Sequence, residues 1–241
     1  MSNLQRLDKV LSNLEFGSRK EIRLLMKQER VKVNDTTVKD PGIQVDPETS
    51  IIKIDDREIM YKKYIYIMMN KPDGVISATF DKRHKTVVNL LPGEFKRFDV
   101  FPAGRLDIDT EGLILLTNDG QLAHEILSPK KHIPKTYFAR VRGLVDSSDI
   151  EKFSGGITLD DGYRTFPAQL EVLNSSEVSE VKLTIYEGKF HQVKRMFQVV
   201  EKEVIYLKRI SMGGLILDNS LALGECRELT KAEVREIKVK C

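Results

Sequence analysis

The stretch FPAGRLDIDTEGLILLTNDG, residues 101–120, decides how the chain must be built. Leu113 to Leu116 form an uninterrupted apolar run closed by Asn118, Asp119 and Gly120, which reads as a buried strand ended by a turn. Arg105, Asp107 and Asp109 stand at the entrance to that strand. An ionised side chain there must face outward or find a partner, because burying an unpaired charge costs several kcal/mol or more. Local rules alone favour an Arg–Asp pair stapling a turn. A rigid strand end is also where a preorganised catalytic group is best mounted.

Working outward, the chain has 241 residues, enough for a core and for two domains. Hydrophobic residues make up 41% and charged residues 31%, an ordinary globular mixture. No apolar run approaches the roughly 20 residues that a membrane-spanning helix needs. The N-terminal MSNLQRLDKVLSNLEF lacks the apolar core of an export signal, so a cytoplasmic location is expected. Cys226 and Cys241 are the only cysteines, and the histidines at 84, 124, 132 and 191 have no ligand spacing, so neither a disulfide framework nor a metal site is expected. The net charge of +3 is small, but its distribution is uneven. Residues 1–32 carry eight Lys/Arg against four Asp/Glu, and residues 189–209 carry six against two, the pattern of local contacts to a polyanion.

Residues 1–60 read as a module of their own. Leu7, Val10, Leu11 and Leu14 recur at helical spacing, and Gly17 ends that helix. Ser18 and Glu21 form a capping-box signature opening a second helix with Ile22, Leu25 and Met26 on its core side. Arg19, Arg23, Lys27 and Arg30 fall on the other side, as a solvated face or an RNA-contacting one. VKVNDTTV then alternates as a strand running into an Asn-Asp turn, DPGIQVDPETSIIKIDDREI supplies further short strands, and MYKK, 60–63, reads as a hinge.

From residue 64, short β-type runs end in Gly, Asn or Asp: YIYIMMNKPDG, GLILLTNDG, KTYFARVRG, GITLDDG, AQLEVLN and EVKLTIYEG. QLAHEIL, SSDIEKF and HQVKRMFQVV are helical. Strands and helices without a regular alternation give an α+β domain, residues 61–241, with a mixed, largely antiparallel sheet. In EGKFHQVKRMFQVV, Val193, Met196, Phe197 and Val200 make an apolar stripe, so Lys194 and Arg195 project beside the core near the helix start. His191 there is open to two readings, a base or a hydrogen-bonded structural residue.

Together these segments resemble, in order and over nearly the whole chain, a pseudouridine synthase of the RsuA type, a family acting on small-subunit ribosomal RNA. RLDKVLSNLEFGSRKEIRLLMKQERVKVND is similar to an S4-type RNA-binding module, NKPDGVISA to the family's first motif and GRLDIDTEGLILLTNDG to its second. SPKKHIPKTYFARV resembles the segment with the active-site tyrosine, and EGKFHQVKRMF, LKRISMGGLILD and LALGECRELT resemble the C-terminal motifs. The resemblance implies a pseudouridine synthase fold carrying a small S4-like α/β domain. It makes Asp107 the nucleophile or base, Tyr137 the residue packing on the target base, and Lys194 the cation paired with Asp107. Arg105 would help displace the flipped nucleotide. Lys71, His191 and Arg195 join Arg19, Arg23, Lys27 and Arg30 as RNA contacts, and Arg195 competes with Lys194 for Asp107.

That chemistry suits these groups. Breaking the glycosidic bond builds positive character at C1′, which a carboxylate can stabilise or attack. A cation beside it keeps it ionised and orients it. The target base must first be flipped out of its stack, and an aromatic face holds it while it turns. The reaction needs no cofactor, and a monomer acting on 16S rRNA or a small-subunit assembly intermediate is expected. Siblings of the family make a large-subunit rRNA site the alternative target, and two rivals predict other outcomes: an RNA-binding assembly factor with a vestigial site, and a hydrolase using Asp107 and Asp109 as a carboxylate pair, with Asp109 otherwise a scaffold residue of the turn.

Overall fold

The computed structural model describes residues 4–14, 16–59 and 61–237; Met60, the first residue of the expected hinge, and Cys241 lie outside the described residues. The chain divides into two compact units, Met1–Tyr64 with Gly93–Phe98, and Ile65–Pro92 with Asp99–Cys241.

The first unit contains β1 (Gln5–Arg6), α1 (Leu7–Asn13), α2 (Arg19–Lys27), β2 (Val31–Val33), β3 (Thr36–Thr37), β4 (Gln44–Val45), β5 (Ile52–Ile54) and β6 (Arg57–Ile59), together with α3 (Gly93–Lys96). The capping box forms: Ser18 N donates to Glu21 Oε2 at 2.7 Å and Glu21 N donates to Ser18 Oγ at 3.4 Å. Asn34 and Asp35 take left-handed φ values of 48° and 62°, closing the β2–β3 hairpin expected from VKVNDTTV. Leu7, Val10, Leu11, Leu14, Ile22 and Met26 pack with Val31, Val33, Ile52 and Ile54 into one core.

In the second unit come β7 (Tyr66–Lys71), β8 (Phe101–Pro102), β9 (Glu111–Thr117), α4 (Gly120–Leu127), β10 (Lys135–Arg142), α5 (Ser147–Ser154), β11 (Gln169–Asn174), β12 (Val178–Ile185), α6 (Gln192–Val199), β13 (Glu203–Met212), β14 (Leu215–Ile216), β15 (Cys226–Glu228) and α7 (Lys231–Glu236). The sheet runs β11-β12-β10-β13-β9-β7-β15, with β8 also on β9 and β14 also on β13. Its pairings are antiparallel except β9 with β13, the mixed, largely antiparallel sheet of an α+β fold.

β9 is central to that sheet, which is why its sequence is apolar without alternation. Leu113 and Leu115 join the core cluster that holds Leu122, Ala123 and Ile126 of α4, and Ile114 and Leu116 are equally buried. Fully burying each such side chain contributes about 1.5–3 kcal/mol, so the run fixes the strand firmly. Asn118-Asp119-Gly120 is not a free turn: the Asp119 side chain accepts from Leu122 N at 3.0 Å and caps α4. GITLDDG, expected as a strand, is irregular, with one isolated bridge from Thr158 to Arg164. Ile157 N instead donates to Oγ1 of Thr165, just beyond the segment, at 2.9 Å, closing the loop on itself.

Candidate active site

Asp107 lies in the loop entering β9. A turn closed by Thr110 N donating to Asp107 O at 3.1 Å presents its carboxylate. The segment after β7 latches that loop. Ser77 Oγ donates to Leu106 O at 2.9 Å and accepts from Leu106 N at 3.0 Å, and Gly74 N donates to Ile108 O at 3.0 Å. Lys71 is fully buried, and its Nζ donates to Pro72 O, Ile108 O and Thr110 O at 3.0, 3.1 and 2.8 Å. Burial pushes its pKa down to about 8 against the pull of nearby carboxylates. Lys71 therefore cannot make the RNA contact expected of it; it holds the turn that carries Asp107.

The loop opens into a cavity of about 890 Å³ lined by Arg105, Asp107, Lys135, Tyr137, Glu187, Lys189, His191 and Arg209 among others. Tyr137 is 8% exposed on β10, and Arg105 is exposed beside Asp107. The fold brings both to the cavity that Asp107 lines. Asp107's expected partner does not: Lys194 Nζ bonds both carboxylate oxygens of Asp109, at 2.5 and 2.6 Å. Partial burial alone would raise the Asp109 pKa, but the hydrogen bond and charge of Lys194 outweigh it and hold the carboxyl below its ordinary value. The alternative partner is also excluded, since Arg195 is held in ion pairs with Asp160 and Asp161. The side chain facing Asp107 is instead the His191 imidazole, whose Nε2 lies 3.7 Å from Asp107 Oδ1.

The reason lies in α6. His191 takes a left-handed φ of 49° just before the helix, and its ring stacks on Phe190 with centroids 3.8 Å apart. Lys194, one turn further on, meets Asp109 within the Asp107–Thr110 turn. Neighbouring Arg195 points to the loop at Asp160. Spacing could show that α6 brings cations near the loop, but not which carboxylate each would meet.

In the N-terminal unit, Arg19, Arg23 and Lys27 are exposed on α2. Arg23 lies 3.9 Å from the buried Asp8, which Arg6 also pairs. Arg30 lies beyond the helix and makes a two-pronged bond to Asp55 at 2.6 and 2.5 Å, which neutralises it and removes it from the expected basic face.

Two further cavity residues, Lys135 and Arg209, were not singled out from sequence, although each follows an ordinary strand alternation that points it inward. Lys135 is 5% exposed, with Nζ donating to Ile133 O at 2.8 Å. Burial, and then repulsion from Arg209, push its pKa down to about 8 against the attraction of Glu187. Arg209, paired across strands with Tyr137, is 3% exposed, and its Nε donates to Leu113 O at 2.8 Å. Glu187 is buried and accepts from Phe166 N at 2.8 Å, from Gln192 Nε2 at 3.2 Å and from the Tyr163 hydroxyl.

Residues 65–199 match the family model for RNA pseudouridylate synthases, and residues 5–51 match the S4 domain. The chain is 50% identical to an uncharacterized RNA pseudouridine synthase, YtzG, of Bacillus subtilis, covering 95% of this chain and 96% of the relative. It is 42% identical to the ribosomal small subunit pseudouridine synthase A of Vibrio cholerae, covering 96% and 99%. Its identity to the ribosomal large subunit pseudouridine synthase B of Bacillus subtilis is 38%, covering 98% and 96%. A crystal structure of a pseudouridylate synthase superposes with a TM-score of 0.68 at 36% identity, covering 96% of this chain and 99% of that one. With an S4 domain ahead of this sheet and a carboxylate mounted at the mouth of its central strand, the chain belongs to the RNA pseudouridine synthases, enzymes that isomerise uridine within RNA.

Proposed function

We propose that this chain converts one uridine of 16S ribosomal RNA to pseudouridine, with Asp107 as the reacting carboxylate. The observation that carries the assignment is Asp107 on the wall of a cavity that also holds Tyr137, at the mouth of a strand buried on both faces. A volume of about 890 Å³ accommodates a flipped nucleotide. The small-subunit target rests on the 42% identity to the Vibrio cholerae relative; the 38% identity to a large-subunit synthase supports that site as the second reading.

In this reading Arg105 takes the space the nucleotide leaves in the RNA stack. Tyr137 backs the uracil, a contact worth roughly 1–3 kcal/mol per stacked base. Cleavage of N1–C1′ leaves an electron-poor C1′ that the Asp107 carboxylate engages. After the base turns, C5 bonds to C1′, the carboxylate is released, and a proton passes from C5 to N1. Orientation of Asp107 comes from the turn, which Lys71 and Ser77 hold on one side and the Lys194–Asp109 pair on the other. The chain works as a cytoplasmic monomer, residues 1–60 docking RNA through Arg19, Arg23 and Lys27 while residues 61–241 catalyse.

The deciding experiment maps pseudouridine in ribosomal RNA from cells lacking the protein and complemented with wild type or Asp107→Asn. Wild type restores one small-subunit site and Asp107→Asn restores none. Restoration by Asp107→Asn would remove Asp107 from the chemistry. A restored large-subunit site would transfer the target to the second reading, and free uracil as product would indicate the carboxylate-pair hydrolase.

A further inference from the structure

Beneath Tyr137 the cavity floor carries an unbalanced charge. Lys135 and Arg209, both nearly fully buried, line it with a single buried carboxylate, Glu187. That carboxylate is already engaged by three donors, from Tyr163, Phe166 and Gln192. Arg209 spends Nε on Leu113 O, and among the described residues its Nη2 has no hydrogen-bond partner. Leaving a charged donor buried and unsatisfied costs more than leaving a neutral one so, and a feature of this kind calls for an acceptor.

Its placement is also constructed. The pairing of β10 with β13 shifts register between Thr136 and Tyr137, a bulge that sets Arg209 opposite Tyr137. On its other side Arg209 pairs with Gly112, where an added Cβ would stand 2.3 Å from Arg209 O, so only glycine lets β9 and β13 approach closely enough at this point. Sequence and backbone thus deliver a second cation beside Lys135 at the cost of mutual repulsion, which a bound anion would relieve.

Resting on the assignment of the Asp107 cavity as the active site, we propose that Arg209 and Lys135 bind the uracil after it leaves C1′, stabilising it as an anion through its carbonyl oxygens. When the N1–C1′ bond breaks heterolytically, its electron pair goes to N1 and spreads over O2 and O4. An Asp107 oxygen forms the new bond to C1′. After rotation, C5 attacks C1′ and the Asp107 oxygen departs with its pair, so no electrons are gained or lost. A floor that is cationic and buried favours the separated base over the bound nucleotide, the differential stabilisation that accelerates a step. The phosphodiesters of the RNA would instead meet Arg105 and Lys189, which are exposed at the rim.

The test is equilibrium binding of barbiturate, a pyrimidine that is anionic at neutral pH, and of neutral uracil to the full chain, with inorganic phosphate as competitor. Wild type binds barbiturate at least about tenfold more tightly than uracil, as a charged hydrogen bond requires. Arg209→Met and Lys135→Met each abolish most of that preference while leaving the thermal midpoint near wild type, and Arg209→Lys restores part of it. Turnover of Arg209→Met falls by roughly 100-fold in kcat, the cost of removing one oxyanion donor, with little change in KM for RNA. No preference in wild type, or a preference kept by both folded methionine variants, overturns the proposal. Phosphate displacing barbiturate at equal concentration makes the floor a phosphate site and also overturns it. Asp107→Asn keeps the preference while losing product, so failure here is distinct from failure of the site assignment.

Discussion

Lys71→Met removes the three hydrogen bonds that hold the catalytic turn and keeps the side chain's length and apolar stem. Pro72 O and Thr110 O lose their donor, while Ile108 O keeps only the bond from Gly74 N. At about 1–3 kcal/mol for each of the two unsatisfied groups, and about 1 kcal/mol for the bond lost at Ile108 O, the loss is roughly 3–7 kcal/mol. Against this, the native protein carries the cost of burying the ammonium, visible in the fall of its pKa from 10.5 to about 8. That shift corresponds to about 3 kcal/mol of relief when the charge is deleted. A net destabilisation near 2 kcal/mol follows, lowering the melting temperature of a unit this size by roughly 4–8 °C. The pH dependence isolates the residue. Because the folded protein gives up this proton near pH 8 and the unfolded chain near 10.5, wild type gains stability between those values from this group and the methionine variant does not. Thermal unfolding of both proteins across pH 7–10 should therefore show their difference widening with pH while the variant's pseudouridine formation is strongly reduced. A gap that narrows or stays flat, or a folded variant with wild-type kcat, would refute the anchoring role.

Three further outcomes test the geometry. Gly112→Ala places a methyl group against Arg209 O at a φ of +99° and should cost about 3 kcal/mol or more in denaturant unfolding; a neutral effect would mean β9 and β13 do not approach as described. Lys194→Met should cost only about 0.5–1 kcal/mol, because Asp109 is largely exposed, yet slow turnover by loosening the turn. Its stability deficit is present above pH 3.8 and fades as acid protonates Asp109, whose folded pKa is lowered, and a double-mutant cycle with Asp109→Asn that shows no coupling would disprove the pairing. Arg23→Glu with Lys27→Glu should weaken RNA binding and reduce the magnitude of its salt slope by about 0.9 for each phosphate no longer neutralised, measured by titration at several salt concentrations; unchanged binding would clear α2 of that role.

How the molecule divides between sequence and tertiary structure follows from the range of the forces involved. Leu113–Leu116 is buried by composition alone, and the capping boxes, hairpin turns and apolar stripe of α6 are local devices whose partners lie within a few residues. Periodicity and turn chemistry therefore determined most strands and helices, the α+β class, and the position of Asp107 at a strand mouth. The irregular segment at 157–161 escaped because its β-type residues are satisfied by a loop's own hydrogen bonds. Ion pairing is a long-range choice among similar charges. Lys194 meets Asp109 from 85 residues away, Arg195 meets Asp160, and Arg30 meets Asp55, each decided by where a helix or hairpin ends in space. The family resemblance made Lys71 an RNA contact, and only the fold showed three carbonyls converging on it. The sequence by itself determined which residue would be offered at the mouth of the strand. Tertiary structure decided which charges hold it there, because a carboxylate's partner is set by distances of a few ångströms between elements far apart in the chain.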